Sequence, residues 1–175
     1  MSELRAQGLS SDEDDEDSLQ GKFLTFKIGE ETYGIEIRHV TEIIGVQKIT
    51  PVPDVPEFVR GMINLRGRVI PIMDVRLRFR KAPRAYDDRT CIIVIHIKDA
   101  AVGLVVDTVS EVLSIPDSAI DAPPRMGGPF QRVMLGLGKV GDEVKILLDA
   151  TKLLFDEAEA KALIGKAQDA SRPRP

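Results

Sequence analysis

Gly34-Ile-Glu-Ile-Arg-His-Val-Thr-Glu-Ile43 falls on Gly103-Leu-Val-Val-Asp-Thr-Val-Ser-Glu-Val112 when the chain is laid on itself at a shift of 69 residues. Glycine meets glycine, valine meets valine and glutamate meets glutamate. Upstream, Lys22-Phe-Leu-Thr-Phe-Lys-Ile28 falls on Cys91-Ile-Ile-Val-Ile-His-Ile97 at the same shift, and a polar turn follows each. Downstream, at a shift of 75, Gly61 meets Gly136, Val69 meets Val144 and Asp74 meets Asp149. This is a duplicated unit with a short insertion in its second copy.

Each copy reads as a hairpin of β-branched residues, a loop, a second hairpin and a short helical closing segment. Short strands broken by glycines at this spacing predict a small β-barrel, since closure removes the exposed edges of a compact sheet. A barrel of roughly 65 residues is marginal alone. Two packed five-stranded barrels are therefore expected, the first over about 22–88 and the second over about 89–156, with a groove between them. A first strand exchanged between copies would leave the same sequence pattern, so the strand membership of each barrel stays open. Helices are expected at Glu57–Arg60, after Pro56 and before Gly61, and over 149–165, capped by Asp149 or Thr151.

The 175 residues carry a formal charge of −4, but this is unevenly distributed. Glu3, Asp12, Glu13, Asp14, Asp15, Glu16 and Asp17 face only Arg5 in the first stretch, which predicts a disordered acidic leader over 1–20. A second short disordered tail is expected over 167–175. With 43% hydrophobic residues the remainder is ordinary globular material. The single cysteine, Cys91, excludes an intrachain disulfide and a thiolate zinc cluster. The longest central apolar run stops at His96, far short of the roughly 20 residues of a membrane span, and a cytoplasmic location is expected.

Catalytic chemistry is hard to find. Gly136-Leu-Gly-Lys-Val-Gly141 is a literal G-x-G-x-x-G, yet a strand pattern follows where a dinucleotide site needs a helix, so it reads as a hairpin turn. His39 and His96, the only histidines, stand on different copies without a metal-site spacing. No cofactor and no enzymatic activity are expected. Nine bases between Arg60 and Arg89 read as a solvated or acidic-partner face, and no nucleic acid is expected as a partner, since only Phe79 and Tyr86 interleave as stacking residues; a nucleic-acid surface is the alternative function. Arg66, at the hairpin tip Leu65-Arg66-Gly67-Arg68, is either a plain turn residue or a side chain presented to a partner.

Phe58-Val-Arg-Gly61-Met-Ile-Asn64-Leu-Arg66-Gly67-Arg-Val-Ile-Pro71-Ile-Met-Asp74-Val, with Tyr33-Gly-Ile-Glu-Ile37 before it and Val105-Val-Asp-Thr-Val109-Ser-Glu-Val112-Leu after it, resembles the CheW family of bacterial chemotaxis coupling proteins. The likeness spans the whole expected domain, 21–157. It implies two SH3-like five-stranded barrels, and a non-enzymatic protein that links the cytoplasmic tip of a chemoreceptor (a methyl-accepting chemotaxis protein) to the regulatory domain of the histidine kinase CheA. The protein would then be recruited to membrane-associated receptor arrays. By the same resemblance Val40, Glu42, Ile43, Arg66 and Ile92 border the receptor groove. Ile49 and Gly61 would lie near one kinase contact, and Asp121, Arg125 and Met126 would form the other.

Overall fold

The computed structural model describes residues 18–125 and 127–155. Eleven strands form two sheets. In chain order they are β1 (Lys22–Ile28), β2 (Glu31–Glu36), β3 (Val40–Gly45), β4 (Val59–Leu65), β5 (Arg68–Asp74), β6 (Cys91–Ile97), β7 (Ala100–Val106), β8 (Thr108–Ser114), β9 (Ile120–Asp121), β10 (Met134–Val140) and β11 (Glu143–Leu148). The six-stranded sheet runs β8-β1-β2-β11-β10-β9, and the five-stranded sheet runs β3-β6-β7-β5-β4.

These orders show that the two copies exchange their first hairpins. The β1–β2 hairpin of the first copy lies between β8 and β11 of the second, pairing in parallel with β11 at Tyr33–Ile146 and Ile35–Leu148. The β6–β7 hairpin of the second copy lies between β3 and β5 of the first, parallel to β5 at Ile72–Gly103. A division of the chain at residues 88 and 89 therefore does not separate the two sheets.

Each sheet curls until the extension of one edge strand reaches the opposite edge. Beyond β3 the chain bends back so that Thr50 bridges Met62 on β4, with N···O distances of 2.8 and 2.9 Å. Beyond β8 it returns as β9, which pairs with Gly138 and Leu137 of β10. The two closures share a glycine. A Cβ on Gly61 would stand 2.1 Å from the Thr50 carbonyl oxygen, and one on Gly136 would stand 2.6 Å from that of Asp121. The repeated glycines thus mark where the backbone of each barrel closes on itself.

Alternation along the strands sorts the core into three parts. Ile63, Leu65, Ile70, Ile72, Ile92 and Val94 fill the five-stranded barrel, and Phe23, Ile115 and Leu147 fill the six-stranded one. The largest cluster is the seam between them, where Leu24, Phe26, Tyr33 and Ile35 of one sheet meet Ile93, Ile95 and Leu104 of the other. Burying the continuous outer face of both sheets is what makes two thin cores one body.

Helices are short. Asp74 caps α1 (Val75–Arg78) by accepting from the Leu77 amide at 3.2 Å, and Asp149 caps α3 (Ala150–Phe155) from the Lys152 amide at 3.0 Å, so the repeated aspartates do the same work. Between them lies α2 (Pro129–Val133). The expected helix at Glu57–Arg60 is absent. Val59 donates back to the Pro56 carbonyl at 3.0 Å and already begins β4, because its side chain and that of Ile63 alternate inward. The acidic leader up to residue 17, the terminal helix beyond Phe155 and the second tail lie outside the described residues.

Candidate functional site

The Arg66-Gly67 turn has φ of 53° and 87°, both in the left-handed region that a two-residue hairpin requires, and the Gly67 amide donates to Asn64 Oδ1 at 2.7 Å. Arg66 does not project freely from this tip. Its guanidinium lies on the Glu42 carboxylate in a bidentate pair, with Nη1···Oε1 at 3.1 Å and a second contact from Nη2 to Oε2. β3 and β4 are opposite edges of the five-stranded sheet, so the pair fastens that barrel across its mouth. The Arg66 hydrogen bond and charge hold the Glu42 carboxyl below its ordinary value, and Glu42 raises Arg66 in turn.

Beside this pair, Ile43 is 43% exposed and stands opposite the buried Ile93 of the seam. Directly opposed residues share a sheet face, so Ile43 points toward the seam. Val112, its repeat counterpart on β8, is 50% exposed and opposes the buried Leu24 of the same seam. Each sheet therefore offers an edge strand with an exposed branched aliphatic on its seam side. Val40 packs against the seam core itself. Of the expected groove residues, the structure brings Val40, Glu42, Ile43 and Arg66 onto β3 and the adjoining turn. Ile92 is different. It is fully enclosed inside the five-stranded barrel, because its register with Ile44 turns it inward, and it offers no surface to a partner.

The other expected contacts lie at the two barrel closures. Ile49 packs its half-buried side chain onto the barrel core next to Thr50, and Gly61 is buried against the Thr50 backbone. Asp121 is exposed on β9, 3.3 Å from Lys139, and Arg125 is exposed in the loop after it. Met126 lies outside the described residues. Ile49–Gly61 and Asp121 thus occupy corresponding places on the two halves.

The basic run between Arg60 and Arg89 is not a continuous cationic face. Arg66 meets Glu42, Lys81 meets Glu31 at 2.9 Å, and Arg76 and Arg84 both reach Asp107, the latter at 3.1 Å. Arg78 is buried with its guanidinium 5.4 Å from the Phe58 ring centre. Asp107 is a residue that sequence reading passed over. It stands where the chain leaves β7 in one sheet for β8 in the other, and also accepts from the Gly29 amide at 2.7 Å. Burial would raise its carboxyl, but the Arg76 hydrogen bond, the Gly29 amide and the two arginine charges outweigh that and hold it low. Val112 was passed over too, although the shift of 69 residues that matches it to Ile43 was visible.

Among the described residues no cluster of three or more His, Cys, Asp or Glu side chains could hold a metal ion, and no helix is long and apolar enough to cross a membrane. A family model described as the CheW-like domain matches residues 22–158. The chemotaxis protein CheW of Klebsiella aerogenes is 40% identical over 140 residues, covering 79% of this chain and 84% of its own length. That of Treponema pallidum is 32% identical over 149 residues, covering 82% and 87%. Protein FrzA of Myxococcus xanthus is 30% identical over 135 residues, covering 76% and 84%. Among solved structures, the scaffolding protein TtCheW of Thermoanaerobacter tengcongensis matches with a TM-score of 0.72 at 34% identity, covering 77% of this chain and 92% of that one.

Proposed function

Because the chain belongs to the CheW family and is thereby a chemotaxis adaptor, we propose that it couples chemoreceptor tips to the histidine kinase CheA without catalysing a reaction itself. The observation that carries this is the pair of seam-facing aliphatics, Ile43 and Val112, on the edge strands of the two sheets. A groove with apolar lips and a charged rim suits the amphipathic helical tip of a receptor, whose apolar side would bury against both lips while its polar side meets Glu42 and Arg66. The kinase regulatory domain would dock at the barrel closures, through Ile49 at the closure that Gly61 permits on one half and through Asp121, Arg125 and Met126 on the other. Two separate docking places allow one molecule to hold receptor and kinase together. The adaptor would reach a membrane-associated array through the receptor.

Co-sedimentation of the full chain with a receptor cytoplasmic fragment and CheA tests this. A ternary complex is expected, with Ile43→Asp losing the receptor alone and Asp121→Arg with Arg125→Asp losing the kinase alone. Binding to neither partner would overturn the reading.

A further inference from the structure

We propose that the open mouth of the six-stranded barrel is an acceptor for an arginine-tipped hairpin of a partner protein. The mouth is a cavity of about 720 Å³ between the free edge of β8 and the β10–β11 hairpin. Thr25, Ser110 and Glu111 line one side, and Leu137, Val144 and Ile146 the other.

The internal repeat supplies the comparison. Glu111 and Thr25 correspond to Glu42 and Val94 at the shift of 69, and Leu137 and Val144 to Met62 and Val69 at the shift of 75. In the five-stranded barrel the corresponding mouth is fastened by Arg66 from its own hairpin turn, lying bidentate on Glu42. The matching turn residue in the six-stranded barrel is Gly141, with φ of +60° and nothing within 4 Å of where a side chain would begin. The glutamate is kept and the arginine is missing.

Charge points the same way. Glu30, Glu31, Glu111 and Glu143 face Lys27 and Lys145 around the rim. Lys145 is held by Glu143, and Glu31 by Lys81 and the Tyr33 hydroxyl. No hydrogen bond or ion pair among the described residues engages the carboxylate of Glu111 or Glu30. An incoming guanidinium would meet the planar acceptor that Arg66 meets on Glu42, with its hydrocarbon stem against the stretch of β11 from Glu143 to Ile146 that lines the cavity. Arginine fits better than lysine because only the guanidinium presents two parallel donors to one carboxylate. Arg66 of a second copy is already engaged with Glu42, which makes a different protein the donor.

The test uses the isotope-labelled full chain and, as probe, a cyclic peptide copying Asn64-Leu-Arg-Gly67. Amide shifts are expected at Thr25, Ser110, Glu111 and Val144. Affinity should fall about tenfold in Glu111→Gln, where one charge-assisted bond is lost, and the shifts should vanish when citrulline replaces the arginine of the peptide. Gly141→Arg places an arginine at a φ close to that of Arg66, so it should fill the mouth from within and abolish probe binding. If that variant does not fold, Glu111→Gln decides, since its side chain is exposed and the fold does not depend on it. Equal affinity for wild type and Glu111→Gln, or no shifts at the mouth, would overturn the proposal. So would self-association abolished by Arg66→Ala, which would make the donor a second copy.

Discussion

Arg66 adopts a left-handed φ at a hairpin tip and lays its guanidinium on Glu42, so two roles meet in one side chain. Because the pair is exposed, reversing one charge should leave the melting temperature near that of wild type. Receptor binding should still weaken in Arg66→Glu, where two carboxylates repel and the rim opens. The double reversal Glu42→Arg with Arg66→Glu restores the internal pair but shows the receptor reversed charges, so binding should stay weak in receptor co-sedimentation, and recovery would make Arg66 a brace for Glu42 in place of a direct contact. Gly61 presents a different case, with φ of +139° and a Cβ position inside the Thr50 carbonyl. Gly61→Ala should cost about 3 kcal/mol in denaturant unfolding, against about 1 kcal/mol for Gly67→Ala, whose Cβ meets open space. The N-L-R-G turn was legible in the sequence because turn chemistry is local. The glutamate that receives the arginine, 24 residues earlier, was not paired with it by any local pattern.

Two short crossovers carry the chain from one sheet to the other, and each is a point where charge is shielded from water. At the β7–β8 crossover, Asp107 and Arg76 keep side-chain exposures of 13% and 15%. Asp107→Asn retains an acceptor for Gly29 but loses the arginine charges, and it should cost about 1–3 kcal/mol. The carboxyl is depressed in the fold, so its stabilisation is complete above the ordinary 3.8 and is lost as pH falls through the lower folded value. At the β2–β3 crossover, burial lowers His39, opposed by Glu36 and Asp149 and reinforced by Arg38. The sign is the same here, at a higher pH. The unfolded chain takes up the proton first, so stability begins to fall as pH drops through the ordinary 6.5 and stops falling below the folded value. Between about pH 7.5 and 5.5 the wild type should therefore lose more melting temperature than His39→Gln. An equal loss in both would place the titration elsewhere. Strand positions were readable from alternation, whereas Glu57–Arg60 read as helix because four residues hold too little periodicity to outweigh a preceding proline.

Hairpin exchange makes the two copies inseparable. Residues 1–88 alone would leave β3, β4 and β5 without the β6–β7 hairpin that joins them, and residues 89–175 alone would lack β1–β2. Neither fragment should show cooperative unfolding or dispersed amide resonances, while co-expression should restore both by complementation. A fragment that folds alone would contradict the exchanged topology. That the chain is a duplicated, mainly β unit with a rigid pair of barrels, short closing helices, no apolar span and an arginine turn follows from residue pattern, because periodicity, turn chemistry and self-similarity are properties of short stretches. Which hairpin enters which barrel does not follow from it. β1–β2 and β6–β7 carry the same inward pattern and the matched glycines Gly34 and Gly103, each lying against a partner side chain, Leu147 or Ile72, from the other copy's barrel. Because the hairpins are nearly interchangeable, local energies hardly distinguish the pairings. The choice rests on long-range packing: the exchanged arrangement, the closure of each mouth and the seam that Ile43 and Val112 border exist only once all eleven strands are assembled.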